Sequence, residues 1–380
     1  MQISFNNRQF SIGRISAHQI IPENILLQGV SVTNPHLVQI EISPTDSCNQ
    51  NCNWCFTVQD RFNGRSVKLA ELRQYIDKFT SQGGCSIVFS GGGEPLIYKP
   101  IYKNNENFDG KSLILYCLDL GLACGIITNG VNSTAIQEGV DIKRLAFLRV
   151  SIDCLDRKMY TALHNCNKDH FYNLIENIEC ISKEKGHSPL PAFGISFIVD
   201  GDSGLNATEE DLEIIRRFTL DKNIDFVQFK HLHTSDKKQA EITMQALHDK
   251  LKKMYWKDTE FWVQKYLTPR PEKNCRVTEI IQSVGGENQR FPCCHLFGDS
   301  NHFPQDSFQP EGKVIENCNS RVCRYLSIND ILNEIRYQDK YIEAEKKLVV
   351  SLEKYGFHPY RFFPTAPNLY FPVSSDKAAF

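Results

Sequence analysis

Three cysteines, Cys48, Cys52 and Cys55, stand within the run Cys48-Asn-Gln-Asn-Cys52-Asn-Trp-Cys55-Phe56. The C-x3-C-x2-C spacing puts three thiolates into one tight loop, and thiolates are ligands for zinc and for iron–sulfur clusters. Three is one short of the four ligands that a structural zinc or a [4Fe–4S] cluster normally takes. Without a fourth side chain nearby, one iron of a cluster keeps an open position where a small molecule binds and reacts. On spacing alone two other readings stand beside this one: half of a zinc ribbon completed from elsewhere, or part of a ferredoxin-like electron carrier.

The chain has 380 residues and fourteen cysteines. The start, Met1 to Arg8, lacks the charged and apolar regions of a secretory signal, so metal ligation explains the cysteines better than a disulfide framework does. Beside the front triplet, Cys275, Cys293, Cys294, Cys318 and Cys323 form a second group. The other six (Cys85, Cys117, Cys124, Cys154, Cys166, Cys180) are scattered, as small buried apolar residues are.

Elements that alternate in type position the front loop. Residues 37–42, 86–90, 123–127, 147–152, 193–199 and 224–229 read as strands. Between them run helical spacings: Leu69, Leu72, Ile76 and Phe79; Ser112 to Leu120; Phe171, Leu174, Ile175 and Ile178; and Leu212, Ile215 and Phe218 behind a Thr208/Asp211 cap. Six such repeats predict an α/β fold, a partial (β/α)6 TIM-like barrel, with its chemistry at the C-terminal ends of the strands. The cysteine loop, the glycines Gly91 to Gly93, the run Thr128-Asn129-Gly130 and Ser151 to Asp153 all fall at such ends.

From about Thr234 the alternation stops. A helix through Leu247, Leu251, Met254 and Tyr255 leads to a Pro269-Arg-Pro271 boundary. Residues 273–329 are rich in Cys, Gly, Pro and Asn, too poor in apolar runs for much core, and a metal cluster is expected to hold them. Residues 331–355 read as a helix stopped at Gly356, followed by an aromatic tail. The expected division is 1–35, an N-terminal extension; 36–233, the barrel; 234–272, a connecting helix; 273–330, a cysteine-rich domain; and 331–380, helix and tail.

With Trp54 before the third cysteine and Ser90-Gly-Gly-Gly-Glu-Pro-Leu96 after the second strand, the chain resembles the radical S-adenosylmethionine (SAM) superfamily over roughly residues 36–329. The resemblance implies a [4Fe–4S] cluster on Cys48, Cys52 and Cys55, with SAM chelated to the open iron. It implies that Trp54 packs by the adenine and that Gly92 and Gly93 accept the methionine amine. Glu94 would support that edge; Asn129, Ser151 and Asp153 would contact ribose and carboxylate, and Gly194 would admit the adenine edge.

The back group resembles the SPASM and twitch auxiliary-cluster domains, though its spacings depart from theirs. Five cysteines suffice for one auxiliary [4Fe–4S] cluster, assigned to Cys275, Cys293, Cys318 and Cys323 because Cys293, not Cys294, fills the Pro-Cys slot. A structural zinc on the same side chains, with His295, is the other reading.

The resemblance implies an enzyme that abstracts hydrogen from a small polar substrate such as a sugar or aminocyclitol. The stretch before the first strand is short for a leader-binding domain, which favours the small substrate and leaves peptide maturation as the alternative. An electron donor such as flavodoxin or ferredoxin is the expected partner. If the substrate radical needs a hydrogen atom back, Cys154, just past the fourth strand, is the candidate donor. A net charge of −2 with no block of like charge points away from nucleic acid, and no apolar run is long enough for a membrane span, so a cytoplasmic location is expected.

Overall fold

The computed structural model describes residues 37–55, 57, 64–101, 112–133, 140–232, 236–264, 274–293, 314–316 and 329, with the strands of 2–5, 8–12 and 20–22. Those three strands, β1 (Gln2–Phe5), β2 (Arg8–Ile12) and β3 (Ile20–Pro22), form a small antiparallel sheet inside the N-terminal extension.

The main sheet contains β4 (Gln39–Ile42), β5 (Ser86–Phe89), β6 (Ala123–Thr128), β7 (Phe147–Asp153), β8 (Ala192–Val199) and β9 (Phe226–His231), paired parallel in sequence order. These are the six expected strands. Helices α1 (Leu69–Ser81), α2 (Leu113–Asp119), α3 (Arg157–His164), α4 (Lys168–Lys185) and α5 (Glu209–Asp221) lie in the connections, α3 and α4 both between β7 and β8. The Thr208 cap is present: its hydroxyl accepts the Asp211 amide at 3.1 Å.

Two more parallel strands extend the edges. β10 (Glu260–Val263) follows helix α6 (Lys237–Lys252) and pairs with β9. β11 (Ile281–Val284) pairs with β4 and turns back as the antiparallel β12 (Arg290–Phe291). The resulting order is β10-β9-β8-β7-β6-β5-β4-β11-β12, an α/β sheet of the partial-barrel kind. Residues 281–291 are thus held by the sheet. They borrow backbone partners from the β4 edge and bury Ile281 and Val284, so the boundary at 273 does not interrupt the sheet.

Period-2 alternation gives the sheet two unlike faces. Ile40, Ile42, Leu148, Val150, Ile152, Phe193, Ile195 and Phe197 join the apolar core with Leu72, Ile76, Leu174 and Leu212 of the helices. The alternate positions carry Gln39, Glu41, Arg149, Ser196 and Gln228, all buried. Arg149 donates to Gln228 at 2.7 Å across the intervening β8, and the Ser90 hydroxyl donates to Glu41. No described helix is long and apolar enough to cross a membrane.

Candidate active site

The cysteine loop leaves the C-terminal end of β4 between two backbone anchors. Asp46 N–H donates to Arg65 O at 2.8 Å and Val67 N–H to Pro44 O at 3.0 Å. A bridge joins Thr45 to Ser66, and the Arg65 guanidinium holds the buried Asp46 carboxylate at 2.8 Å. Beyond these anchors the three cysteines are half-buried, neither sealed in the core nor free in solvent.

The glycine run forms one wall. Gly93 lies so close to the loop that a Cβ there would meet Ser47 O at 2.1 Å and Thr45 O at 2.5 Å, so no side chain fits. Glu94 N–H donates to Ser47 O at 2.8 Å. Glu94 itself is a clamp. Its carboxylate accepts from Leu96 N–H at 3.0 Å, the Thr128 hydroxyl at 2.7 Å and Asn129 N–H at 2.7 Å, tying the glycine turn to the end of β6. Burial pushes its pKa up to about 7 against these three donors.

Helix α3 forms a second wall, one that the strand-by-strand reading of the sequence missed. Its last turn holds the loop by backbone: Asn51 N–H donates to His164 O at 3.0 Å and Asn53 N–H to Leu163 O at 3.3 Å. Gln50 donates to the Tyr160 hydroxyl at 2.6 Å. Tyr160 and His164, four apart and so on one helical face, are both buried. The His164 ring lies 5.2 Å from Trp54 in an edge arrangement and 4.2 Å from Tyr160, with Nδ1 3.2 Å from Cys52 Sγ. Burial lowers the His164 pKa, opposed by the nearby Asp153. The Asp156 cap and the left-handed Asn165 that bound α3 were the available sequence signals.

Each sulfur has a polar neighbour. Gln50 N–H reaches Cys48 Sγ at 3.5 Å, the His164 ring meets Cys52, and Thr57 Oγ1 lies 3.1 Å from Cys55 Sγ. The Thr57 hydroxyl also donates to Gly92 O at 2.5 Å, so its single hydrogen has two acceptors within reach. Asn129 sits against the loop, donating to Asn49 Oδ1 at 2.6 Å, and α4 holds the turn behind it through Asn177 on Gly130 O and Val131 O.

The other expected positions divide. Ser151 accepts from Ser196 at 3.3 Å. Asp153 ends β7 with φ of 61°, past a register shift; its Oδ2 is 3.8 Å from His164 Nε2, and its Oδ1 is buried with no partner among the described residues. Gly194 makes room for protein rather than for a ligand edge: the Phe226 ring, stacked on Trp262, occupies the place a Cβ would take, at 2.0 Å. Cys154 is buried, and burial pushes its thiol up to about 11, opposed by the backbone hydrogen bond from Asp156 and helped by the nearby carboxylates of Asp156, Asp211 and Asp153.

Of the back cysteines, Cys275 and Cys293 are described and buried. They flank the β11–β12 hairpin, and Cys275 exchanges backbone bonds with Ile315 at 2.9 and 3.0 Å. Cys294, His295, Cys318, Cys323 and the expected 331–355 helix lie outside the described residues.

The donor set fits an iron–sulfur cluster. Three half-buried thiolates share one loop, with a polar neighbour at each sulfur. A cubane binds each of its thiolates to a different iron, so three sulfurs spread over one loop suit it. The unpartnered Asp153 Oδ1 and the side-chain-free Gly93 are further features such a site uses.

Residues 42–218 match the Radical SAM superfamily. The matched stretch runs from the end of β4 into α5 and so contains the cysteine loop, the glycine run and helix α3. Among curated proteins the chain is similar to a probable GTP 3',8-cyclase of Methanocella arvoryzae, 27% identical over 140 residues, 37% of this chain and 42% of that protein. The chain thus spans about two-fifths of the length of the curated relatives it matches. Among solved structures it resembles Streptococcus suis SuiB bound to S-adenosylmethionine, with TM-score 0.52 and 15% identity over 72% of this chain and 64% of that one. It also resembles anSMEcpe with bound AdoMet, with TM-score 0.51 and 14% identity over 83% and 97% of the two chains. At such identities these two likenesses speak for the fold.

Proposed function

We propose that this protein cleaves SAM reductively at a cluster held by Cys48, Cys52 and Cys55 and uses the product to take hydrogen from a small polar substrate. The observation that carries the reading is the front loop: three half-buried sulfurs at the strand ends, each beside a polar group, on a backbone anchored from β4, the glycine run and α3. Bound there, cluster and SAM together supply a 5′-deoxyadenosyl radical.

The chain's own residues do the rest. Gly92 and Gly93 offer carbonyls for the methionine amine, and Gly93 keeps that edge free of a side chain. Glu94 fixes the edge against β6. Asn129, Ser151 and Asp153 supply polar groups for ribose and carboxylate, and Trp54 an apolar plane for the adenine. The polar sheet face, with Arg149, Gln228 and Glu41, supports a small polar substrate, since buried polar groups need polar partners. Flavodoxin or ferredoxin is the class of reductant required. Cys275, Cys293, Cys318 and Cys323 are assigned to one auxiliary [4Fe–4S] cluster.

The test is anaerobic reconstitution, then SAM with dithionite. The parent protein should form 5′-deoxyadenosine and the Cys52→Ala protein none. Equal formation by both proteins sinks the assignment.

A further inference from the structure

We propose that His164 is the hydrogen-bond donor to the Cys52 sulfur, a positioning residue that raises the potential at which the cluster accepts its electron. The inference rests on the assignment of Cys52 as a cluster ligand. Nδ1 lies 3.2 Å from Cys52 Sγ, within hydrogen-bond range for sulfur, and the ring is 1% exposed. While Cys52 is a thiol, either partner can donate. A cysteine bound to iron has no proton, so the contact then requires the hydrogen on Nδ1. The other nitrogen faces two acceptors that compete for the ring hydrogen, but both lie beyond ordinary N–H···O distance, 3.4 Å to Ile152 O and 3.8 Å to Asp153 Oδ2.

Several contacts fix the ring in this orientation. It is flanked by Tyr160 and Trp54, and its own carbonyl accepts the Asn51 amide at 3.0 Å, so the backbone of His164 grips the residue before Cys52 and its ring meets Cys52 itself. A donor pointed at a cluster ligand stabilises the added negative charge of the reduced state, and hydrogen bonds to the sulfurs are among the recognised determinants of cluster potential. Reductive cleavage of SAM needs an electron from a low-potential cluster. A fixed N–H on one ligand sets how readily a physiological reductant can load that electron.

The experiment compares reconstituted full-length parent, His164→Phe and His164→Asn proteins by potentiometric titration followed by electron paramagnetic resonance. Phe keeps a ring between Tyr160 and Trp54 but has no N–H; Asn places an amide N–H close to the Nδ1 position. The expected result is a more negative midpoint for His164→Phe, largely restored in His164→Asn, at equal iron content. A purely structural role moves neither midpoint, and an unchanged His164→Phe midpoint overturns the proposal. If His164→Phe takes up no iron, parent protein labelled with 15N-histidine decides. A weak nitrogen coupling to the reduced cluster, absent in His164→Asn, supports the donor role. No coupling, or one of the strength of a directly bound nitrogen, overturns it. A parent protein whose iron content is unchanged by Cys52→Ala overturns the ligand assignment as well, which separates that failure from a failure of His164 alone.

Discussion

The front and back cysteines use the same side chain in opposite settings. Cys48, Cys52 and Cys55 are half-buried on a loop whose anchors are backbone contacts with three separate elements. Cys275 and Cys293 are buried at the two ends of a hairpin that is itself part of the main sheet. The front loop is thus presented and the back pair enclosed. Presentation suits a cluster that must admit a small molecule at one iron; enclosure suits a cluster that only passes electrons or braces the chain. The two regions also touch: Gly286 in the hairpin turn packs on Arg65 and Asp46, and Ser43 N–H donates to Val284 O at 2.8 Å. The enclosed region buttresses the presented one.

The sharpest way to break this contrast is to remove the front ligands together. The Cys48/Cys52/Cys55→Ala protein is expected to lose all 5′-deoxyadenosine formation yet keep about four irons per chain after reconstitution. Iron analysis giving none, or zinc in its place, would erase the distinction between the two regions.

Next in size is the pH response of the clamp. Glu94 has its carboxyl raised by burial from 4.5 to about 7 in the folded protein. Because the folded value is the higher one, its contribution is complete below about pH 4.5 and is lost as pH rises through about 7. Denaturant titrations should show stability falling across that window by about 3 kcal/mol, and Glu94→Gln should flatten the slope. A parallel slope in the variant would show that burial does not raise the Glu94 carboxyl.

The seat of the loop comes third. Gly93→Ala puts a Cβ 2.1 Å from Ser47 O, a backbone atom that can yield only by moving the loop. The expected cost is about 1–3 kcal/mol in urea unfolding, with iron uptake reduced at the front site and retained at the back. A variant as stable and as iron-loaded as the parent would show that the contact is not tight.

The smallest effect is assigned to Cys154. Its buried thiol, pushed up to about 11, stays protonated at neutral pH, as any hydrogen donor must. Its neighbours are the carboxylates of Asp153, Asp156 and Asp211, which accords with a loop-packing role. Cys154→Ala should cost about 1 kcal/mol and leave product and yield unchanged. A changed product would make it the hydrogen donor.

Much of this was legible in the sequence where one short run fixes both type and place. The cysteine triplet, the glycine run and the six strands are local patterns, and each stands where the pattern puts it. What escaped was set by distant partners. β11 reads Ile-Gln-Ser-Val inside a stretch poor in apolar residues, and it is a strand because β4 offers it a free edge. Gly194 has the pattern of a ligand-facing glycine, but the Phe226 side chain 32 positions later fills its space. His164 carries no motif. Its contact with Cys52 arises only because α3 returns to the loop at the barrel mouth.

The proposed chemistry needs an open iron at the front loop, and SAM binding to the reduced cluster tests for it most directly. The reconstituted parent protein, reduced with dithionite at low temperature, should change its electron paramagnetic resonance spectrum when SAM is added, and the Cys52→Ala protein should not. A fully loaded parent whose spectrum is indifferent to SAM would mean that no iron is open, and the front cysteines would then hold a closed cluster.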